Sequence, residues 1–168
     1  FRVNSVGGFN IEQRLVLRKR IFQHFVEIIP DLSRVFNKMK IIIRPHPSEN
    51  HDFWKYKTKH LENVEVIHKG EALPWIMAAD LVVQNECTTA VEAFLLGTPT
   101  IAYRPVIKDQ LETFLTNSLS HQVFNSEELI GCMKTLLDKP NAFSEREKGM
   151  REIAKFYIES IDGSLATE

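Results

Sequence analysis

The sequence predicts an α/β fold: a Rossmann-like doubly wound parallel sheet with helices on both faces. Three observations carry this. Short β-branched runs alternate with helical patterns up to roughly residue 105, and the turns between them are brief. One run, Ile41-Ile42-Ile43, has no polar position, as expected of a strand buried on both faces. With 168 residues, 43% of them hydrophobic, the chain can bury one good core, so a single domain over 1–168 is expected.

The elements follow in order. "FRVNSV" (1–6) reads as a strand closed by Gly7-Gly8. Ile11, Leu15, Ile21, Phe22, Phe25 and Ile29 then fall near a 3.6-residue period, which predicts a helix interrupted by Pro30, with one or two further turns in "DLSRVFNKM". "KIIIRP" is the second strand, "SENHDFWKYKTKHL" a short polar helix and "VEVIHK" (64–69) the third strand. "LPWIMAA" is a brief helix and "DLVVQN" (80–85) the fourth strand. "TTAVEAFLLG" is a helix ended by Gly97, and "TPTIAYRP" the fifth strand. Beyond it, "HQVF" reads as a short edge strand. Two helices follow, opened by Asn125-x-x-Glu128 and Ser144-x-x-Glu147 capping boxes.

Right-handed crossovers leave few topologies, the commonest placing the first strand beside the fourth. In open sheets of this kind ligands bind at the carboxyl ends of the strands, where the strand order reverses. The segments to inspect therefore lie after strands one, two and four.

After the first strand, Ser5 and Gly7-Gly8 offer a turn whose backbone can approach a ligand, or simply a tight strand-to-helix connection. There is no GxGxxG, so no dinucleotide fingerprint. After the second comes "RPHPSEN". Pro45 and Pro47 stiffen the backbone on either side of His46, which limits the entropy the imidazole loses on engaging an anion. Such a ring can donate to a phosphate oxygen. Arg44 either adds a bidentate contact or points into a neighbouring helix. After the fourth, Thr88 or Thr89 is a natural N-cap, and the helix start offers N–H groups and partial positive charge to an anion. Glu92 either completes a capping box with Thr89 or reaches a ligand hydroxyl. His68 and Lys69 can line the same rim. Trp75 reads as core and Arg104 as a structural salt-bridge donor. The lysines of "WKYKTKH" read as a solvated face, and His24, His51, His60 and His121 as surface or helix residues without a role.

Composition narrows the function. A formal net charge of −1 argues against a general nucleic-acid or membrane-surface binder. No apolar run approaches the roughly 20 residues of a membrane span, and no secretory signal is visible. Cys87 and Cys132 stand isolated, which fits a reducing, cytoplasmic setting better than a disulfide framework. No CxxC or HExxH spacing is present, so neither a metal nor a cofactor is predicted. The opening "FRVNSVGGFN", a strand already under way without an initiator Met, reads as the C-terminal part of a longer protein.

The combination of "RPHPSEN" and "DLVVQNECTTAVEAFLLGTPTIAYRP" resembles the C-terminal, nucleotide-binding half of GT-B glycosyltransferases, most of all bacterial surface-polysaccharide biosynthesis proteins. His46-Pro47 is similar to the His-Pro pair with which bacterial sialyltransferases and Kdo transferases contact a CMP phosphate. Thr88-Thr89 is similar to their Ser-Ser or Ser-Thr pair, with threonines in place of serine. The likeness covers roughly residues 1–105. It implies donor binding, with a CMP-activated sugar favoured, in capsule or lipopolysaccharide assembly by a cytoplasmic protein that can sit peripherally at the inner membrane. It also implies a partner N-terminal domain of the same protein carrying the acidic base, so no catalytic residue is assigned and the fragment alone is expected to be inactive. Glycerophosphotransferases of teichoic-acid synthesis carry similar pairs. Non-hydrolysing UDP-GlcNAc 2-epimerases resemble the chain more loosely, with an acidic residue at the position of Glu92. An epimerase-like isomerase, a glycerophosphotransferase-like domain and a non-catalytic interaction module are the alternatives.

Overall fold

A computed structural model describes residues 11–107, 114–139 and 144–158. The predicted strand 1–6, its place beside the fourth, and Ser5, Gly7 and Gly8 lie outside these residues. The chain divides into two compact units, one up to Gly70 and one from Glu71.

In the first unit, helix α1 (Ile11–Val35) leads to strand β1 (Ile41–Ile43), helix α2 (His51–Thr58) and strand β2 (Val64–Val66). β1 and β2 pair in parallel, Ile42 opposite Glu65. Contrary to expectation, α1 runs through Pro30 for 25 residues. Proline removes one backbone bond, but Ile28, Ile29, Leu32 and Ser33 on either side of it are all buried, while the Pro30 ring faces solvent. Burial of that stripe, about 1.5–3 kcal/mol for each large side chain, outweighs the lost bond. The core is completed by Leu17, Phe36 and Trp54, with Phe22 set edge-on to Trp54 at 5.0 Å.

Asn63 locks the end of α1. Its Nδ2 group lies 3.1–3.3 Å from the Ser33, Phe36 and Met39 carbonyls, and its Oδ1 accepts from Ser33 Oγ. The Asn63 carbonyl takes the Ile41 N–H at 2.8 Å. The Asn63 side chain thus satisfies carbonyls at and just past the helix end, and its backbone starts the β1–β2 pairing.

The second unit holds helix α3 (Leu73–Ala78), strand β3 (Val82–Gln84), helix α4 (Thr89–Leu96), strand β4 (Thr100–Tyr103), helix α5 (Phe114–Ser118), strand β5 (His121–Val123), helix α6 (Ser126–Asp138) and helix α7 (Ser144–Tyr157). Its strands form a parallel sheet in the order β3-β4-β5, with "HQV" at the edge. Every residue of β4 is buried, as a strand covered on both faces must be. Helices pack on both sides, and the fold is Rossmann-like. Leu119 packs with Met150 and Ala154 of α7 in a second cluster.

The caps largely follow the sequence. Gly97 ends α4 at φ +74°, a left-handed conformation open to glycine at little cost. Asn125 Oδ1 accepts the Glu128 N–H at 2.9 Å, while Glu128 reaches back one residue further than a simple capping box, to the Phe124 N–H at 2.7 Å. The side chain of Ser144, on which the last capping box rests, lies outside the described residues. His121 departs from expectation: instead of lying at the surface, it is 3% exposed, because its strand position points inward. Burial, with Arg146 adding repulsion, pushes its imidazole down to about 4.

Candidate functional site

Parallel pairing brings the ends of β1 and β2 to one edge of the first sheet. The segment after β1 is a tight turn: the Glu49 N–H donates to the His46 carbonyl at 2.8 Å. Pro47 occupies the second position of that turn, where its fixed φ is already correct. Glu49 is held in turn by the Trp54 indole N–H at 2.7 Å, and Asn50 caps α2 by accepting from the Asp52 and Phe53 amides.

This scaffold aims His46. Its Nδ1 accepts the Ser48 N–H at 3.2 Å and lies 2.6 Å from Ser48 Oγ. An Nδ1 that accepts from a backbone amide leaves the proton of the neutral ring on Nε2. The ring is exposed, so its Nε2–H is available as a donor to an incoming oxyanion. The rigid, cationic corner that follows the isoleucine run is thus a turn that presents one oriented imidazole.

Arg44 grips loop backbone, where a ligand or a neighbouring helix was the expectation. Its guanidinium donates to the Gly70 carbonyl at 2.7 Å and the Lys69 carbonyl at 3.2 Å, tying the end of β1 to the segment after β2. His68, exposed just past β2, stacks on His51 with centroids 4.4 Å apart. Lys55, Lys57 and Lys59 face solvent, as predicted, with Lys59 over the Tyr56 ring.

In the second unit the turn between β3 and α4 is built by residues that sequence inspection did not single out. Gln84 is buried. Its Oε1 accepts the Cys87 N–H at 2.8 Å and its Nε2 donates to Ser120 Oγ, which donates onward to the Thr116 carbonyl. Asn85 Nδ2 donates to the Tyr103 carbonyl at 2.7 Å. Between these anchors and the helix sits Glu86 at φ +52°, a conformation non-glycine residues rarely adopt. Such strain persists only where surrounding bonds hold it.

Thr88 occupies the N-cap position of α4 but is helical and makes no side-chain cap bond, and Thr89 is the first helical residue. The expected capping by these threonines is therefore absent. The Cys87 and Thr88 carbonyls take the Ala90 and Val91 N–H groups instead. Tightening of the first turn accounts for this, since it uses backbone acceptors where a hydroxyl would serve. The Thr88 side chain is exposed, as is Glu92 in the first turn, so the Thr89–Glu92 capping box is not formed. Arg104, at the same sheet edge, donates to Gln122 Oε1 at 2.5 Å and lies 5.5 Å from the Phe124 ring centroid. Trp75 is half-buried. Both cysteines are free thiols.

Gln84 and Asn85 escape sequence inspection because polar residues at a strand end look like solvent-facing positions. Only burial reveals that they are hydrogen-bond hubs. Among the described residues, no set of three or more His, Cys, Asp or Glu side chains is placed to hold a metal ion, and no helix is long and apolar enough to cross a membrane.

The class that the fold defines is Rossmann-like α/β, with polar, hydrogen-bonded turns at the strand ends. Among solved structures the chain is similar to UDP-GlcNAc 2-epimerase from Neisseria meningitidis bound to UDP-GlcNAc, with TM-score 0.55 and 15% identity over 82% of this chain and 41% of that one. It is also similar to the glycotransferase of kitacinnamycin, with TM-score 0.49 and 19% identity over 78% of this chain and 34% of that one. No protein-family model matches the chain, and no curated protein matches it in sequence. The likeness to the epimerase is one of fold, and the chain spans less than half of that protein's length.

Proposed function

We propose that this chain is the nucleotide-sugar-binding domain of a GT-B glycosyltransferase in bacterial surface-carbohydrate assembly, with a CMP-activated sugar as donor. The observation that carries it is His46: an exposed imidazole at the carboxyl end of a parallel strand pair, held by Ser48 and a Pro47 turn with its Nε2–H outward. Its role is to donate to a nucleotide phosphate and stabilise the charge that develops as the nucleotide departs. Thr88, Thr89 and the strained turn before them supply hydroxyls and helix-start amides to a phosphate. Glu92 is a candidate partner for a ligand hydroxyl. Ser5, Gly7 and Gly8 remain proposed backbone contacts, and Arg44 supports the site by fixing the segment after β2.

We take all 168 residues as one domain of a longer protein, whose remaining part supplies the acceptor site and the catalytic base. A second reading, an isomerase-like domain for UDP-sugars, draws on the fold shared with the Neisseria enzyme. Calorimetric titration with CMP, CDP, UDP and inorganic phosphate, repeated on His46→Ala, tests both. A cytidine nucleotide bound by the wild type and lost in the variant supports the first reading. Preference for UDP supports the second, and binding unaffected by His46→Ala defeats the site.

A further inference from the structure

At the strand-end edge of the β1–β2 pair the structure gathers more imidazole than one phosphate contact uses. His51, the first residue of α2, and His68, just past β2, stack with ring planes inclined by 28°. His51 Nε2 lies 3.4 Å from the His46 carbonyl oxygen, which sets the pair directly against the turn that aims His46. The groups facing the pair are Asp52 and Lys55 on α2 and Lys69 after β2. On the β1 side Arg44 is committed to the Lys69 and Gly70 carbonyls, and Glu49 accepts from Trp54. The contact from α1 is aromatic, Phe22 against Phe53 and Trp54.

Two imidazoles stacked at 4.4 Å resist being charged together. Desolvation in the stack, followed by His51, Lys55 and Lys69, lowers the pKa of His68, and Asp52 opposes them. Asp52 is itself drawn to Lys55, 3.5 Å away. A bound oxyanion relieves the repulsion, so anion binding and proton uptake become coupled there.

We propose that His51 and His68 form a proton-linked subsite for a second oxyanion, adjoining the one that His46 takes. This deepens the nucleotide reading and rests on it for the place of the first oxyanion. The ligand chemistry is two linked anionic groups, either two phosphates or a phosphate and a carboxylate.

The test is an NMR titration of the histidine Cε1 protons of the whole chain from about pH 5 to about pH 8. It is run without ligand and with inorganic phosphate, pyrophosphate or phosphonoacetate. Pyrophosphate or phosphonoacetate is expected to raise the pKa of His51 and His68 by about one unit in total, a linkage of about tenfold in affinity. Whichever of the two does so identifies the second anion, while phosphate alone moves only His46. His68→Gln, at an exposed position, abolishes the rise at His51 and weakens the bifunctional ligand about tenfold, leaving phosphate affinity unchanged. Unchanged titration of both rings with either bifunctional ligand, or His68→Gln without effect, overturns the subsite whatever His46 does. Proton-linked pyrophosphate binding by a chain that ignores every nucleotide upholds the subsite and defeats the nucleotide reading instead.

Discussion

His121 and Gln84 show how much a single side chain decides once it is buried. The folded pKa of His121, about 4, lies below the value near 6.5 that the imidazole has when exposed. The unfolded chain therefore binds a proton that the folded chain refuses. Stability is full above about pH 6.5, declines as the pH falls toward 4 and levels off below it, by about 3 kcal/mol at most. Urea melts at stepped pH check this, and His121→Gln is expected to flatten that part of the decline. Gln84 bridges the Cys87 amide and the Ser120 hydroxyl inside the second unit. Gln84→Ala leaves buried groups unpaired and is expected to cost about 2–3 kcal/mol in denaturant unfolding. If the strained turn at Glu86 serves nucleotide binding, the same substitution also weakens nucleotide affinity beyond what the stability loss explains.

The elements depend on how their ends are closed. Three carbonyls at the close of α1 share the Asn63 amide, so Asn63→Ala is expected to destabilise by about 2–4 kcal/mol and to speed amide exchange from Leu32 to Ile43 first. The α6 cap is simpler and more exposed, and Asn125→Ala is expected to cost about 1 kcal/mol. A methyl group added at Gly97 meets nothing within 4 Å, so Gly97→Ala tests the left-handed backbone alone, at about 1 kcal/mol. These endings were legible in part. Asn125 and Gly97 were read from their local motifs because caps are short-range chemistry. Asn63 was not, because its three acceptors lie 24 to 30 residues away.

Across the molecule, the parallel strands of each unit present their carboxyl ends together, with Arg44 and His46 following β1 in the first and Thr88, Thr89 and Glu92 following β3 in the second. The whole chain is expected to bind nucleotide weakly, with Kd in the millimolar range, about −4 kcal/mol, and to turn over no donor sugar. Calorimetry and a donor-hydrolysis assay check this, and measurable turnover defeats the assignment of the catalytic base to another domain. The alternation of apolar runs and helical periods made the class of fold visible, since burying one face of each element allows few solutions.

The sequence by itself determined the five described strands, the helices other than α5, the proline turn around His46 and the isolation of both thiols. Each of these follows from local backbone restriction or from periodicity in hydrophobicity. Only the tertiary structure decided that α1 outlasts Pro30, that Arg44 clasps the segment after β2, that His121 is buried and that His51 stacks on His68. Those outcomes depend on which distant groups arrive beside a residue. Burial and pairing across the fold are collective quantities that no local window of sequence contains.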